Sequence, residues 1–269
     1  MKSATSATPG RATPASMPPS IAFVMGTARS GTTAMAYLLN AHARICIGVE
    51  RYKHLFNRTK RLDPALFSEQ RFFSFDASDT NILPVLEPYK STYEAMRPKW
   101  QQALVVGDKL GARALPAVLR DIADARVVYT LRQVDGVANS WNVRALRAND
   151  PWPRENDFSA AVPRWNAMNQ LALRALEELG PRMLVVEYER FFAGDATQLW
   201  TLEAFLDVPR DEAMAQAYRA SSEYYVGTVA NKPPTVLEGQ AELIAREADM
   251  DTYGALLGHA RRQFGEARP

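Results

Sequence analysis

Short runs of consecutive apolar residues alternate with helix-period stretches along most of this chain, and that alternation sets the first expectation. Ile21-Ala22-Phe23-Val24-Met25 is a continuous apolar run closed by a glycine turn, the pattern of a strand buried on both faces of a parallel sheet. Residues 33–40 follow as a helix with Ala34, Tyr37, Leu38 and Leu39 on its apolar face. The strand pattern recurs at 45–48, 104–106, 126–131 and 183–186. Helices are expected near 113–123, 137–147, 159–179 and 197–206, and Gly180-Pro181 is a helix-stop signal. Residues 51–100 are mixed, basic and aromatic, and read as helices joined by long loops. Pro151 and Pro153 around Trp152 break the alternation at 148–157. Repeated strand–helix units predict an α/β fold, with about five parallel strands flanked by helices on both faces.

Composition narrows the function classes. A chain of 269 residues is long enough for one large α/β domain, and a single domain is expected over residues 21–269. Residues 1–20 are rich in Ser, Thr, Ala and Pro with no acidic residue, which predicts a disordered tail. The tail lacks the apolar region of a secretory signal, and no later segment is long enough to span a bilayer. A cytoplasmic protein without stable membrane insertion is the expectation. A net charge of +2 provides no global field for nucleic acid, so recognition of charge has to be local. Cys46, the one cysteine, lies in an apolar run and reads as a buried thiol. The three histidines show no metal-ligand spacing, and no metal is expected.

The segment Gly26-Thr27-Ala28-Arg29-Ser30-Gly31-Thr32-Thr33 follows a buried strand and opens a helix. Its glycine spacing fits a loop whose backbone N–H groups and helix N-terminus converge on a phosphate. Where a nucleotide triphosphatase has lysine after the second glycine, this chain has Thr32. That loop is poorly equipped for a β,γ-phosphate with magnesium. The hydroxyls of Thr32 and Thr33 suit a single 5′-phosphate, and Arg29 puts a cation at the crown. A phosphotransferase of the kinase type stays open as the alternative, with Asp108 and Glu187 as imperfect metal-binding acids.

The spelling Thr-Ala-Arg-Ser-Gly-Thr-Thr resembles the 5′-phosphosulfate loop of sulfotransferases that use 3′-phosphoadenosine 5′-phosphosulfate (PAPS), which would engage Arg29, Ser30, Gly31, Thr32 and Thr33. A second element agrees. The strand 127–131 ends in Arg132, and Ser140 lies eight residues on in the next helix, which resembles that family's 3′-phosphate motif. Val185-Val186-Glu187-Tyr188-Glu189 and the segment ending at Pro209 resemble its late strand and helix, with a mainly structural role for Tyr188 and Glu189. The resemblance covers residues 21–209. It implies a nucleotide-kinase-like parallel sheet, PAPS as donor, no metal, and an acceptor left unnamed.

Gly48-Val49-Glu50-Arg51-Tyr52 resembles carbohydrate-type and bacterial sulfotransferases that use a glutamate after the second strand. Glu50 is therefore the candidate general base, favoured further if the site raises its pKa. The bland alternative pairs Glu50 with Arg51, Lys53 or another cation. His54 is the runner-up base, and His42, in a turn after the first helix, reads as structural. Lys109 ends the third strand and resembles the lysine that glycan sulfotransferases place near the bridging oxygen, with Asp108 a candidate to orient it. Lys232, in a late loop, is a candidate to close over the nucleotide. The Trp152 loop and the basic positions Arg51, Lys53, Arg58, Lys60 and Arg61 are candidates for acceptor recognition, or else an exposed loop and a solvated basic face. The expected acceptor is a hydroxyl on a small molecule or glycan, and an inactive sulfotransferase-like scaffold that keeps only the nucleotide pocket is the remaining alternative.

Overall fold

Five parallel strands form one sheet in the order β2-β3-β1-β4-β5. They are β1 (Ser20–Gly26), β2 (Ile45–Val49), β3 (Val105–Lys109), β4 (Arg126–Leu131) and β5 (Met183–Glu187). The structure is a computed structural model and describes residues 18–82, 87, 89–194, 196–231 and 236–265. The expected tail, residues 1–20, lies outside the described residues except at its end. There Ser20 already belongs to β1, because its N–H donates to the Leu104 carbonyl at 2.8 Å.

Between β1 and β3 the chain forms α1 (Thr32–Ala41), α2 (Lys53–Thr59), α3 (Glu69–Phe72) and α4 (Tyr89–Met96). After β3 come α5 (Leu115–Asp121), then β4, α6 (Val134–Ala145) and α7 (Phe158–Leu179). Beyond β5 lie α8 (Tyr188–Phe191), α9 (Ala196–Leu206), α10 (Glu212–Tyr224), α11 (Glu238–Glu247) and α12 (Met250–Gln263). The third strand is displaced from its expected position at 104–106. It starts one residue later and runs on to Lys109, because the ladders to β1 and β2 both continue through Gly107, Asp108 and Lys109.

Strand residues alternate between two cores, as a pleat with period two requires. Phe23, Met25, Val106, Val127, Tyr129 and Val185 face α5, α6, α7 and α12. Ala22, Val24, Ile45, Ile47, Val128, Leu184 and Val186 face α1, α9 and α10. Both faces are covered, which is why the strands read as unbroken apolar runs. Cys46 is buried, as expected, with its thiol 3.8 Å from the Met96 carbonyl. His42 is buried too, its Nε2 at 2.9 Å from the Pro209 carbonyl and its Nδ1 accepting the Arg44 N–H.

The chain leaves β1 toward β2 on one side of the sheet and later places β4 on the other. The carboxyl end of β1 is therefore a switch point, where an open α/β sheet leaves a crevice for ligands.

Candidate active site

The loop after β1 is built from inside. The Ser30 N–H donates to the Thr27 carbonyl at 3.0 Å, and the Ser30 hydroxyl lies 2.9 Å from Thr130 Oγ1 on β4. Ser30, expected as a donor contact, thus turns its side chain into the protein and braces the loop. Arg29 and Gly31 both take left-handed backbone, with φ of 75° and 88°. At Gly31 glycine is needed twice over, since an added Cβ would also run into the Tyr188 ring. The turn opens α1 with Thr32 and Thr33, whose amides, in the first turn, have no intrahelical acceptor.

Beside this loop lies a cavity of about 1040 Å³ lined by Arg29, Arg132, Ser140, Arg144, Arg147 and Glu189, among others. Arg29 Nε donates to Ser140 Oγ at 3.0 Å, and Arg132 Nη1 donates to the Arg29 carbonyl at 2.8 Å. The structure therefore brings the loop together with the end of β4 and α6, more than a hundred residues further along the chain. Partial desolvation, together with Arg144 and Arg132, pushes the Arg29 pKa down. Guanidiniums crowded in this way favour an anion between them. Arg132 Nε is buried without a hydrogen-bond partner and lies 3.9 Å from a Glu189 carboxylate oxygen.

Several of these residues were not predicted. Gly136, Asn139, Val143, Arg144 and Arg147 line the cavity with the predicted Ser140, three or four residues apart on α6 and just beyond it. That spacing was a usable signal once Ser140 was chosen. Tyr188 and Glu189, expected to be mainly structural, lie beside the cavity. Arg132 lies 4.6 Å from the Tyr188 ring centre, and Glu189 accepts the Gln133 N–H at 3.1 Å on the cavity wall. Burial raises the Glu189 pKa.

The Trp152 loop, a candidate for acceptor recognition, packs beside α6. Trp152 packs edge-on against Trp141 at 5.0 Å, and Arg144 covers it at 4.8 Å while binding Asp150. Trp141 in turn donates to the Ala28 carbonyl at 2.9 Å. The loop is a buttress of the cavity beside α6.

A second cluster sits at the same sheet edge, beyond β1. Glu50 follows β2, and its two carboxylate oxygens each accept an ammonium, Lys109 Nζ at 2.7 Å and Lys53 Nζ at 2.7 Å. Burial alone would raise the Glu50 pKa, but Lys109 and Lys53 outweigh it and bring it down to about 2. The condition that would have favoured Glu50 further, a raised pKa, is not met: opposite charges in contact favour the ionised form more than partial burial opposes it. Asp108, expected to orient Lys109, instead accepts the N–H groups of Arg51 and Tyr52, both at 2.9 Å.

The basic positions do not form one solvated face. Arg51 is fully buried between the rings of Tyr52 and Phe75 and pairs with Asp79 at 3.2 Å. Arg58 binds the Ser78 carbonyl at 3.0 Å and Arg61 lies 3.5 Å from Asp121; Lys60 lies over the Phe56 ring. His54 is exposed, with Nδ1 at 3.2 Å from the Ala77 carbonyl. Lys232 lies outside the described residues. Among the described residues there is no cluster of three or more His, Cys, Asp or Glu placed to hold a metal, and no helix long and apolar enough to cross a membrane.

Residues 19–212 match the sulfotransferase family. Among solved structures, the sulfotransferase domain from the curacin biosynthetic pathway aligns with a TM-score of 0.52 and 17% identity, over 94% of this chain and 100% of that one. The sulfotransferase domain from the Synechococcus PCC 7002 olefin synthase aligns with a TM-score of 0.53 and 18% identity, over 96% and 99% of the two chains. At such identities the likeness is one of fold. No curated protein matches this chain in sequence.

Proposed function

This chain belongs to the sulfotransferase family, and on that premise we propose that it takes its sulfuryl group from PAPS and delivers it to an acceptor hydroxyl with Glu50 as general base. The observation that carries the donor assignment is the convergence of Arg29, Arg132 and Ser140 on one cavity beside the N-terminus of α1. A nucleotide with anions at both its 5′ and 3′ positions fits such a site. The loop amides with Thr32 and Thr33 would hold the 5′-phosphosulfate end. Arg132, whose Nε makes no hydrogen bond within the protein and lies 3.9 Å from Glu189, would hold the 3′-phosphate with Ser140.

Transfer needs a base for the acceptor proton and cations around the moving charge. The acceptor oxygen forms its bond to sulfur as its proton passes to the Glu50 carboxylate. The bond from sulfur to the bridging oxygen breaks, and its electron pair stays on the 5′-phosphate of the leaving adenosine 3′,5′-bisphosphate. Arg29 and the loop amides stabilise that phosphate. Lys109, already 2.7 Å from Glu50, stands where it can neutralise charge on the transferring group. A carboxylate held at about pKa 2 by Lys109 and Lys53 is a weak base, and it becomes a better one only where those contacts loosen. The acceptor we favour is a carbohydrate or glycosylated metabolite, supported by the likeness of the Glu50 segment to carbohydrate-type enzymes. The kinase reading loses its footing in Thr32, which stands where a lysine is needed, and in the family match.

Calorimetric titration with adenosine 3′,5′-bisphosphate tests the donor. Binding is expected, and it should weaken sharply for adenosine 5′-phosphate. No binding, or equal binding of the two, overturns the assignment. A PAPS-dependent acceptor screen, read by the mass gain of one sulfuryl group, then identifies the acceptor.

A further inference from the structure

Glu50 has a φ of 55°, a left-handed conformation that a residue other than glycine holds when its surroundings impose it. Here the surroundings are specific. The Glu50 N–H donates to the Lys109 carbonyl at 3.0 Å, and the Glu50 carbonyl accepts the Thr80 hydroxyl at 2.8 Å. The next two amides, of Arg51 and Tyr52, donate to Asp108 Oδ1 and Oδ2, both at 2.9 Å. Asp108 and Thr80 are both buried. The β2–β3 ladder sets Gly48 opposite Asp108, and a Cβ at Gly48 would lie 2.9 Å from Asp108 Oδ1. Glycine there lets the carboxylate reach beneath the turn.

We propose that Asp108 and Thr80 are positioning residues for sulfuryl transfer, locking the backbone turn that sets the Glu50 carboxylate between Lys109 and Lys53. Its value for catalysis rests on the reading of Glu50 as the base. The lock is two-sided. Asp108 fixes the amides that follow Glu50, while Thr80, arriving from a separate loop, fixes the carbonyl of Glu50 itself. Burial pushes the Asp108 pKa up to about 7 despite the two amide donors and Lys109. A carboxylate so placed carries a large desolvation cost that these bonds only partly offset. The groups facing Glu50 are Lys109 and Asp108 from β3 and Lys53 from α2.

The test follows the Glu50 carboxyl by ¹³C NMR in the full chain as pH is lowered, with affinity for adenosine 3′,5′-bisphosphate measured alongside. In Thr80→Val the turn loosens, Glu50 parts from its lysines, and its titration rises by about 1–3 pH units; Thr80→Ser restores it. Nucleotide affinity stays within about twofold in both, since the donor cavity is lined elsewhere. Asp108→Asn tests the other side of the lock. A carboxyl pushed up to about 7 is already neutral where Glu50 titrates, so the exchange leaves the charge beside Glu50 unchanged there. A raised Glu50 titration then reads the loosened hold on the Arg51 and Tyr52 amides. With the acceptor in hand, both Thr80→Val and Asp108→Asn lower kcat by about a hundredfold at unchanged donor KM. An unmoved Glu50 titration in Thr80→Val overturns the positioning role. Full transfer by Glu50→Gln instead rejects Glu50 as the base, and leaves the NMR result standing by itself.

Discussion

Glu50 shows how neighbours decide the chemistry of a side chain. Its carboxylate would be a better base alone, yet it is held between two ammonium groups at 2.7 Å each. The Lys53 partner is the more exposed of the two, at 42% against 8% for Lys109, so solvent screens it more. Replacing Lys53 by Met removes one favourable charge and raises the Glu50 pKa from about 2 toward its ordinary value of 4.5. The acid limb of the transfer rate should therefore move to higher pH in the variant, which a pH–rate profile would read. An unmoved limb would assign that limb to another group. The same depressed pKa adds stability that is present above 4.5 and is lost as pH falls toward 2.

At the level of elements, the donor loop is a short turn held from three sides: Thr130 on β4, Trp141 and Ser140 on α6, and the Tyr188 ring behind Gly31. Such a loop is rigid before any ligand arrives, which lowers the entropy cost of holding a phosphate. Gly31→Ala tests it. A φ of 88° and contact with the Tyr188 ring make the alanine costly by about 2 kcal/mol or more. The expected outcome is a melting temperature lower by about 4–8 °C and weaker binding of adenosine 3′,5′-bisphosphate. A variant that melts and binds like the parent would show that the ring and turn yield freely. α6 makes the complementary point: one helix face carries Ser140 and Arg144 to the cavity, while its other face buries Val137, Ala138 and Trp141.

For the molecule as a whole, the two chemical clusters stand at one edge of the sheet on opposite sides of β1. Arg132 follows β4, the neighbour of β1 on one side; Glu50 and Lys109 follow β2 and β3 on the other. Adjacent strands are about 4.8 Å apart, so under the proposed function a phosphosulfate at the β1 loop would reach from one cluster toward the other. Binding in that central position links elements from both halves of the sheet. Saturation with adenosine 3′,5′-bisphosphate at about 100 times its Kd should add about 2.7 kcal/mol. For a chain of this size, that corresponds to a rise of about 5–10 °C in melting temperature by differential scanning fluorimetry. No rise at saturation would mean that the nucleotide does not select the folded state.

The strands and the anion loop were legible without coordinates, as unbroken apolar runs and a glycine-bounded turn, whereas Arg132 and Ser140 were singled out by resemblance to a sulfotransferase motif. The runs and the turn are local patterns, set by backbone sterics, burial on both sheet faces and helix geometry. Arg144 and Arg147 were hidden because a polar helix face shows its period but not what it faces. The lowered pKa of Glu50 was hidden as well, since it depends on Lys109, 59 positions away, brought close by the β2–β3 ladder. Asp108 reads in the sequence as a neighbour of Lys109, and only parallel pairing with Gly48 turns it toward the amides of another strand's turn. Sequence alone determined which backbone segments would form the sheet and its anion loop. Tertiary structure decided which charges meet, because electrostatic energies depend on separation and burial, and chain spacing fixes neither.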